Sequence, residues 1–209
     1  MIRSFRVRTR NATRGESAPG SIRGLAVEGR RLYIGGAFNR IAGRRRPSLA
    51  AVNLRTGRLV RGFRPRLRAE RREQPYVETL YARGRRLYLL GDFRRVSGNR
   101  RNGFAAIGSR TGRVDRTFRP PATAFARGAN LAFGPSRVYL AEETFVNELD
   151  GLTGRLLRFG DSRGDEFESV DEMVVYGRRL YAVGTFAPSL ADFGLTTDPA
   201  GIAIFDLRR

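Results

Sequence analysis

The chain has 209 residues; all 40 basic residues are arginine, 20 are acidic, and lysine, cysteine and histidine are absent. That composition excludes disulfides, thiolate chemistry, metal ligation by Cys or His, and a histidine base. Hydrophobic residues make up 41% of the chain, enough to build a core at this length, so disorder is excluded.

The net charge of +20 is unevenly spread. Residues 1–128 hold 32 Arg against 7 Asp and Glu, a balance of +25, whereas residues 129–209 hold 8 against 13, a balance of −5. A GC-rich genome explains arginine in place of lysine, but not this polarity. No apolar run reaches the roughly 18–20 residues of a membrane helix, so no membrane insertion is expected. The N-terminal MIRSFRVRTR lacks the apolar stretch of a secretory signal. A cytoplasmic protein, a removed signal and a fragment of something longer all remain open.

Met1–Val7 resembles the blade-closing segment Arg61–Pro65 and reads as a fourth strand. Ile22–Val27, Leu32–Gly36, Leu49–Leu54 and Leu59–Phe63 follow as four short strands, with a loop of about a dozen residues between the second and third. Short apolar runs bounded by Gly, Pro and Asn are the strand signature, and no 3.6 period is sustained. Gly57, Gly112 and Gly154 sit where a hairpin requires a positive φ.

The unit then repeats. LAVEGRRLYIGGAF at residues 25–38 returns as LYARGRRLYLLGDF at 80–93, and LAAVNLRTGRLVRGFRP at 49–65 as FAAIGSRTGRVDRTFRP at 104–120. A third copy begins at Leu131 with a shortened internal loop, and a fourth reads MVVYGRRLYAVGTF at 173–186. A period near 50 residues signals stacked supersecondary units. The expected fold is an all-β, β-propeller-like array of about four blades, each a four-stranded antiparallel sheet. One domain, 1–209, is expected, with blades near 21–67, 76–120, 129–160 and 168–207. Tyr33, Tyr88, Tyr139 and Tyr181, with Phe63 and Phe118, are expected to pack between blades. Ile2–Phe5 pairing beside Ile202–Leu207 closes the ring on one reading. On the other, these are four blades of a longer array. Four-bladed rings being uncommon, an open or partial ring is expected.

These spaced features resemble the bacterial delta-60-type β-propeller repeat, over the whole of Leu25–Pro65 and Leu80–Pro120 and part of Leu131–Gly154 and Met173–Leu207. The resemblance implies a non-catalytic repeat module within large proteins of the cell surface or exterior. Its motif is structural and carries no catalytic residue onto this chain. The missing export signal and the low repeat number depart from the family pattern.

The chemistry on offer is arginine and carboxylate. Loops joining second to third strands, and the connectors between blades, are expected on one face. That face collects Arg40, Arg44, Arg45, Arg46, Arg66, Arg68, Arg71, Arg72, Arg94, Arg95, Arg100 and Arg101 from the first two blades. The candidate polyanion-binding set is Arg44, Arg45, Arg46, Arg71, Arg72, Arg94, Arg95, Arg100 and Arg101. Guanidinium groups bind phosphate and sulfate bidentately, and a focused positive field speeds association. Nucleic acid, an anionic cell-wall polymer or an acidic protein would suit it, although no nucleic-acid-binding motif is present. A solvated rim that keeps strand edges from pairing explains the same arginines. Arg30-Arg31, Arg85-Arg86 and Arg178-Arg179 fall on the opposite face, at the tight turns.

In the last two blades the same face carries Asp161, Asp165, Glu166, Glu168, Asp171, Glu172, Asp192 and Asp198. DSRGDEFE does not fit an EF-hand loop, and neither a metal nor a cofactor is expected. The opposite charges of the two halves predict head-to-tail self-association. A carboxylate-dependent hydrolase or lyase, through Glu142 and Glu143 or Asp165 and Glu168, is the unfavoured alternative, because nothing places such a pair on one wall of a cleft. The integrin-type tripeptide Arg163-Gly164-Asp165 is read as coincidental, and the glycosylation sequon Asn11-Ala12-Thr13 matters only on a eukaryotic secretory route.

Overall fold

A computed structural model describes residues 6–13, 16–70, 73–121, 129–142, 145–158, 167–186, 197–198 and 201–207. These form β-strands and turns, with no helix among the described residues. The chain divides into two compact units, residues 1–116 with 122–125, and residues 117–121 with 126–209.

The first unit opens with a hairpin, β1 (Thr9–Thr13) and β2 (Glu16–Pro19). The first blade follows: β3 (Ser21–Glu28), β4 (Arg31–Ala37), a small hairpin of β5 (Arg40–Ile41) and β6 (Arg44–Arg45), and β7 (Leu49–Asn53). The second blade repeats this plan with β8 (Leu67–Arg68), β9 (Tyr76–Arg83), β10 (Arg86–Asp92), β11 (Arg95–Val96), β12 (Asn99–Arg100) and β13 (Phe104–Gly108). The blade sheets run β3-β4-β7 and β9-β10-β13, all antiparallel. The expected turn glycines hold positive φ, 66° at Gly57, 70° at Gly112 and 72° at Gly154.

Two expectations are corrected. The fourth strand of these blades shrinks to single bridges, Val52 to Leu59 and Ile107 to Val114. In the first, Val60 N–H still reaches Ala51 O (2.8 Å), but the chain then turns, Phe63 N–H bonding Val60 O (3.2 Å), which drops Phe63 into the core at 0% exposure. An extended strand could not make that turn. The long loop between second and third strands is in fact the β5–β6 or β11–β12 hairpin. Ala42 and Gly43 (φ 46° and 73°), like Ser97 and Gly98 (46° and 88°), both take positive φ at the tip. That pattern matches the two-residue turn whose twist suits antiparallel strands.

The core of this unit lies between its two blades. Tyr33, Leu49, Ala51 and Phe63 of the first pack with Leu80, Leu87, Leu89, Phe93 and Ile107 of the second. Tyr33 and Phe63 meet with ring centroids 5.4 Å apart, and the buried Tyr33 hydroxyl donates to Ser109 O at 2.8 Å. The expected packing of aromatics between blades is therefore real here. The opposite face of the first blade buries Ile34, Phe38, Ile41, Ala50 and Val52, with Val7 against them.

The second unit holds β14 (Asn130–Phe133), β15 (Arg137–Glu142), β16 (Phe145–Asp150) and β17 (Leu156–Arg158) in one sheet. Its other sheet contains β18 (Phe167–Tyr176), β19 (Arg179–Phe186), β20 (Thr197–Asp198) and β21 (Ile202–Asp206), in the order β18-β19-β21-β20. Ala132, Tyr139, Ala141, Val170, Met173, Leu180 and Ala182 form the core between them. Residues 1–5 and 208–209 lie outside the described residues, and with them much of the proposed ring-closing contact.

Candidate anion-binding face

Each small hairpin takes a third strand from the chain just before its blade. β1 joins β5 and β6, with Arg10 opposite Arg40 and Arg40 opposite Arg45. β8 joins β11 and β12, with Arg68 opposite Arg95 and Arg95 opposite Arg100. Directly paired residues on an antiparallel sheet put their side chains on the same side, about 5 Å apart. The fold therefore builds two rows of three arginines, one per blade. Backbone bonds hold both copies alike: Ala42 N–H to Arg8 O (3.0 Å) and Asn39 N–H to Arg10 O (3.1 Å) match Ser97 N–H to Arg66 O (2.7 Å) and Arg94 N–H to Arg68 O (2.8 Å).

All six row arginines are exposed. Among the described residues none of them joins an ion pair. Arg40 and Arg95 each donate once from Nη1 to the hairpin's own carbonyl, at Gly43 (3.3 Å) and Gly98 (3.0 Å), and Arg100 Nε bonds Asn102 Oδ1 (3.2 Å). Like charges placed directly opposite one another are destabilising, so the rows carry a cost that an anion would relieve.

Of the sequence-predicted set, Arg45, Arg95 and Arg100 stand in the rows, and Arg44 is exposed beside Arg45 on β6. Arg94 is exposed but paired with Glu70 at 2.9 Å. Arg46 and Arg101 are anchored to the backbone instead. Arg46 donates to Arg45 O (2.8 Å) and Arg61 O (3.4 Å), and Arg101 to Arg100 O (2.7 Å) and Asp115 O (3.0 Å). Burial, followed by repulsion from Arg64 and Arg44, lowers the Arg46 pKa. Arg71 and Arg72 lie outside the described residues.

The sequence reading missed Arg10 as a row member, together with Arg6 and Arg8 beside it. A signal was present: FRVRTR at residues 5–10 matches FRPRLR at 63–68, the segment that feeds the second hairpin. Of the acidic residues, Asp171 and Glu172 are exposed on β18 and Asp198 lies on β20. Asp161, Asp165, Glu166, Asp192 and Glu143 lie outside the described residues, as does Arg163-Gly164-Asp165.

No family model and no curated protein matches this sequence. Solved structures do. The chain is similar to the computationally designed protein Ika4, at 16% identity over 90% of this chain and 91% of that one, with a TM-score of 0.56. It is similar to the designed protein Ika8 at 16% identity and a TM-score of 0.55, over 91% of this chain but only 47% of that one. Raptor of Chaetomium thermophilum matches 93% of this chain with 16% of its own length, at 11% identity and a TM-score of 0.56. At these identities the likeness speaks to fold alone, and that fold is all-β and β-propeller-like.

Proposed function

We propose that the chain is a non-catalytic β-propeller repeat module of the delta-60 type, serving as a surface-associated binding scaffold, and that its first two blades bind polyanions. The propeller-like fold supports a binding or scaffold role in general. The polyanion reading rests on one observation, the two rows Arg10-Arg40-Arg45 and Arg68-Arg95-Arg100, exposed and outside every ion pair among the described residues. A rim that only protected strand edges would need charge, but not three like charges in register twice over.

Bidentate guanidinium contacts to phosphate or sulfate would relieve the repulsion in each row. Binding by counterion release predicts a steep salt dependence. On a heparin column with a salt gradient, the protein should elute above physiological ionic strength. Replacing the six row arginines with glutamine should bring elution below it. Wild-type elution below physiological ionic strength refutes polyanion binding and leaves the scaffold role alone.

A further inference from the structure

Beside the first arginine row lies a cleft of about 510 Å³ lined by Arg6, Arg8, Arg10, Arg40, Ala42 and Gly43. We infer that this cleft is a binding site for a short chain of consecutive phosphoryl groups, about three in length. The inference deepens the anion-binding reading of the first row and rests on it.

The local sequence builds the cleft. In an extended chain alternate residues share a face at roughly 6.6–6.8 Å intervals. Val7 packs on the buried cluster around Phe38 and Ile41, and Thr9 Oγ1 donates to Gly20 O at 2.7 Å. Arg6, Arg8 and Arg10 consequently face outward, and all three are exposed. Arg40 is brought opposite Arg10 by strand pairing. The positive-φ tip at Ala42 and Gly43 completes the lining.

Four guanidinium groups thus share one small-molecule-sized cavity. No carboxylate lines it, and no ion pair among the described residues engages Arg6, Arg8 or Arg10. Neutralising them takes about four negative charges within that volume. Condensed phosphate carries at least one charge on every phosphorus, denser than carboxylates spaced along a peptide. The lining offers a single methyl group and no aromatic ring, so a nucleobase would find no stacking platform. The repeat-equivalent place in the second blade is chemically different. There Glu70 pairs with Arg94, and Arg64 Nε is bonded to Arg61 O at 2.9 Å.

The test is titration calorimetry of the whole chain at physiological salt with sodium tripolyphosphate. Wild type should bind one equivalent, at least tenfold tighter than inorganic phosphate. The double variant Arg6→Gln/Arg8→Gln, which leaves both arginine rows intact, should bind tripolyphosphate at least tenfold more weakly while its heparin elution barely moves. Should that variant fold poorly, the arginine Nε NMR signals of the wild type decide the matter. Added tripolyphosphate should shift those of Arg6, Arg8, Arg10 and Arg40 ahead of Arg66 and Arg68. Absent binding, an unchanged double variant, or shifts confined to other arginines overturn the cleft whatever the heparin column shows. Heparin elution below physiological ionic strength alongside tight tripolyphosphate binding would instead refute the rows alone. An ATP arm fixes the source: equal affinity assigns recognition to the phosphoryl chain, and tenfold tighter ATP refutes that assignment.

Discussion

The first and third blades share their strand order but leave their second strand differently. In the first, β4 reaches Gly36, whose N–H bonds Ser48 O at 3.1 Å across the base of the arginine hairpin. Gly91 to Gly103 in the second blade and Gly184 to Gly201 in the fourth make the same 3.1 Å bond. Each of these blades also carries a register shift between its first two strands, at Ile22/Gly24, Leu90/Gly91 and Val170/Glu172. The third blade has Glu142 at the matching position, no shift between β14 and β15, and a strand that runs directly into pairing with Phe145. Its sheet is complete, with four strands. A blade therefore does not need the hairpin; glycine and bulge are what the hairpin requires. Where it is present in the first two blades, it brings arginine.

The largest effect is expected from writing the third blade's residue into the first. A Cβ at Gly36 would collide with Ser21 O on the neighbouring strand, and φ there is +159°. Gly36→Glu should cost about 3–4 kcal/mol from steric overlap and backbone strain. The reverse change, Glu142→Gly, should cost only about 0.5–1 kcal/mol of backbone entropy. Urea denaturation measures both, and equal costs would remove the glycine from the hairpin's requirements.

Alkaline pH also separates the first blade from the third. Tyr33 and Tyr139 hold the same place in their repeats, and burial raises both pKa values. At Tyr33 the Ser109 side chain and the Arg31 charge oppose the rise, whereas Glu148 beside Tyr139 adds to it and the pKa reaches about 12. A raised folded pKa means that the unfolded chain releases the proton first, near pH 10. The stabilisation is whole below that pH and is lost as pH climbs toward about 12. The loss through Tyr139 is on the order of 2–3 kcal/mol. Urea midpoints at pH 9 and pH 11.5 should fall apart more in wild type than in Tyr139→Phe; identical slopes would rule the mechanism out.

The smallest effects belong to the arginine that opens each second strand. Arg86 pairs with Asp115 at 2.8 Å with both side chains 19% exposed, while Arg137 pairs with Glu148 at 2.8 Å with 39% and 25% exposed. Arg86→Ala should cost about 1–2 kcal/mol and Arg137→Ala about 0.5 kcal/mol, because solvent screens the second pair more. Thermal melts that rank them the other way would contradict the exposure argument.

The repeat, the first three strands of each blade and the turn glycines were legible because period-2 apolar runs and positive-φ positions are local signals. Leu59, Val60 and Phe63 misled because their apolar character serves a turn that plugs the core, and sequence alone does not distinguish a plug from a strand. The hairpins escaped notice because two-residue strands fall below any periodic pattern, although Ile-Ala-Gly-Arg and Val-Ser-Gly-Asn carry the turn chemistry. Four of the nine candidate arginines, Arg44, Arg45, Arg95 and Arg100, lie exposed on the hairpin strands, but Arg46 and Arg101 look identical in sequence to their exposed neighbours. What separates them is position in space: Arg46 and Arg101 are half-buried and each reaches two carbonyls, whereas Arg40 and Arg95 are exposed and each reaches one. The rows themselves were invisible, since Arg10 meets Arg40, and Arg68 meets Arg95, through pairing across distant segments.

One consequence follows from the way residues 8–10 and 66–68 clasp the hairpin of the blade that comes after them. The portable cassette of this architecture starts upstream of its own sheet, at Arg8 or Arg66 rather than at Ser21 or Tyr76. Grafting a blade from Ser21 onward would strand the clasp on the donor and bare an edge on the recipient. Anyone shuffling these modules should cut just after Phe63 or Phe118.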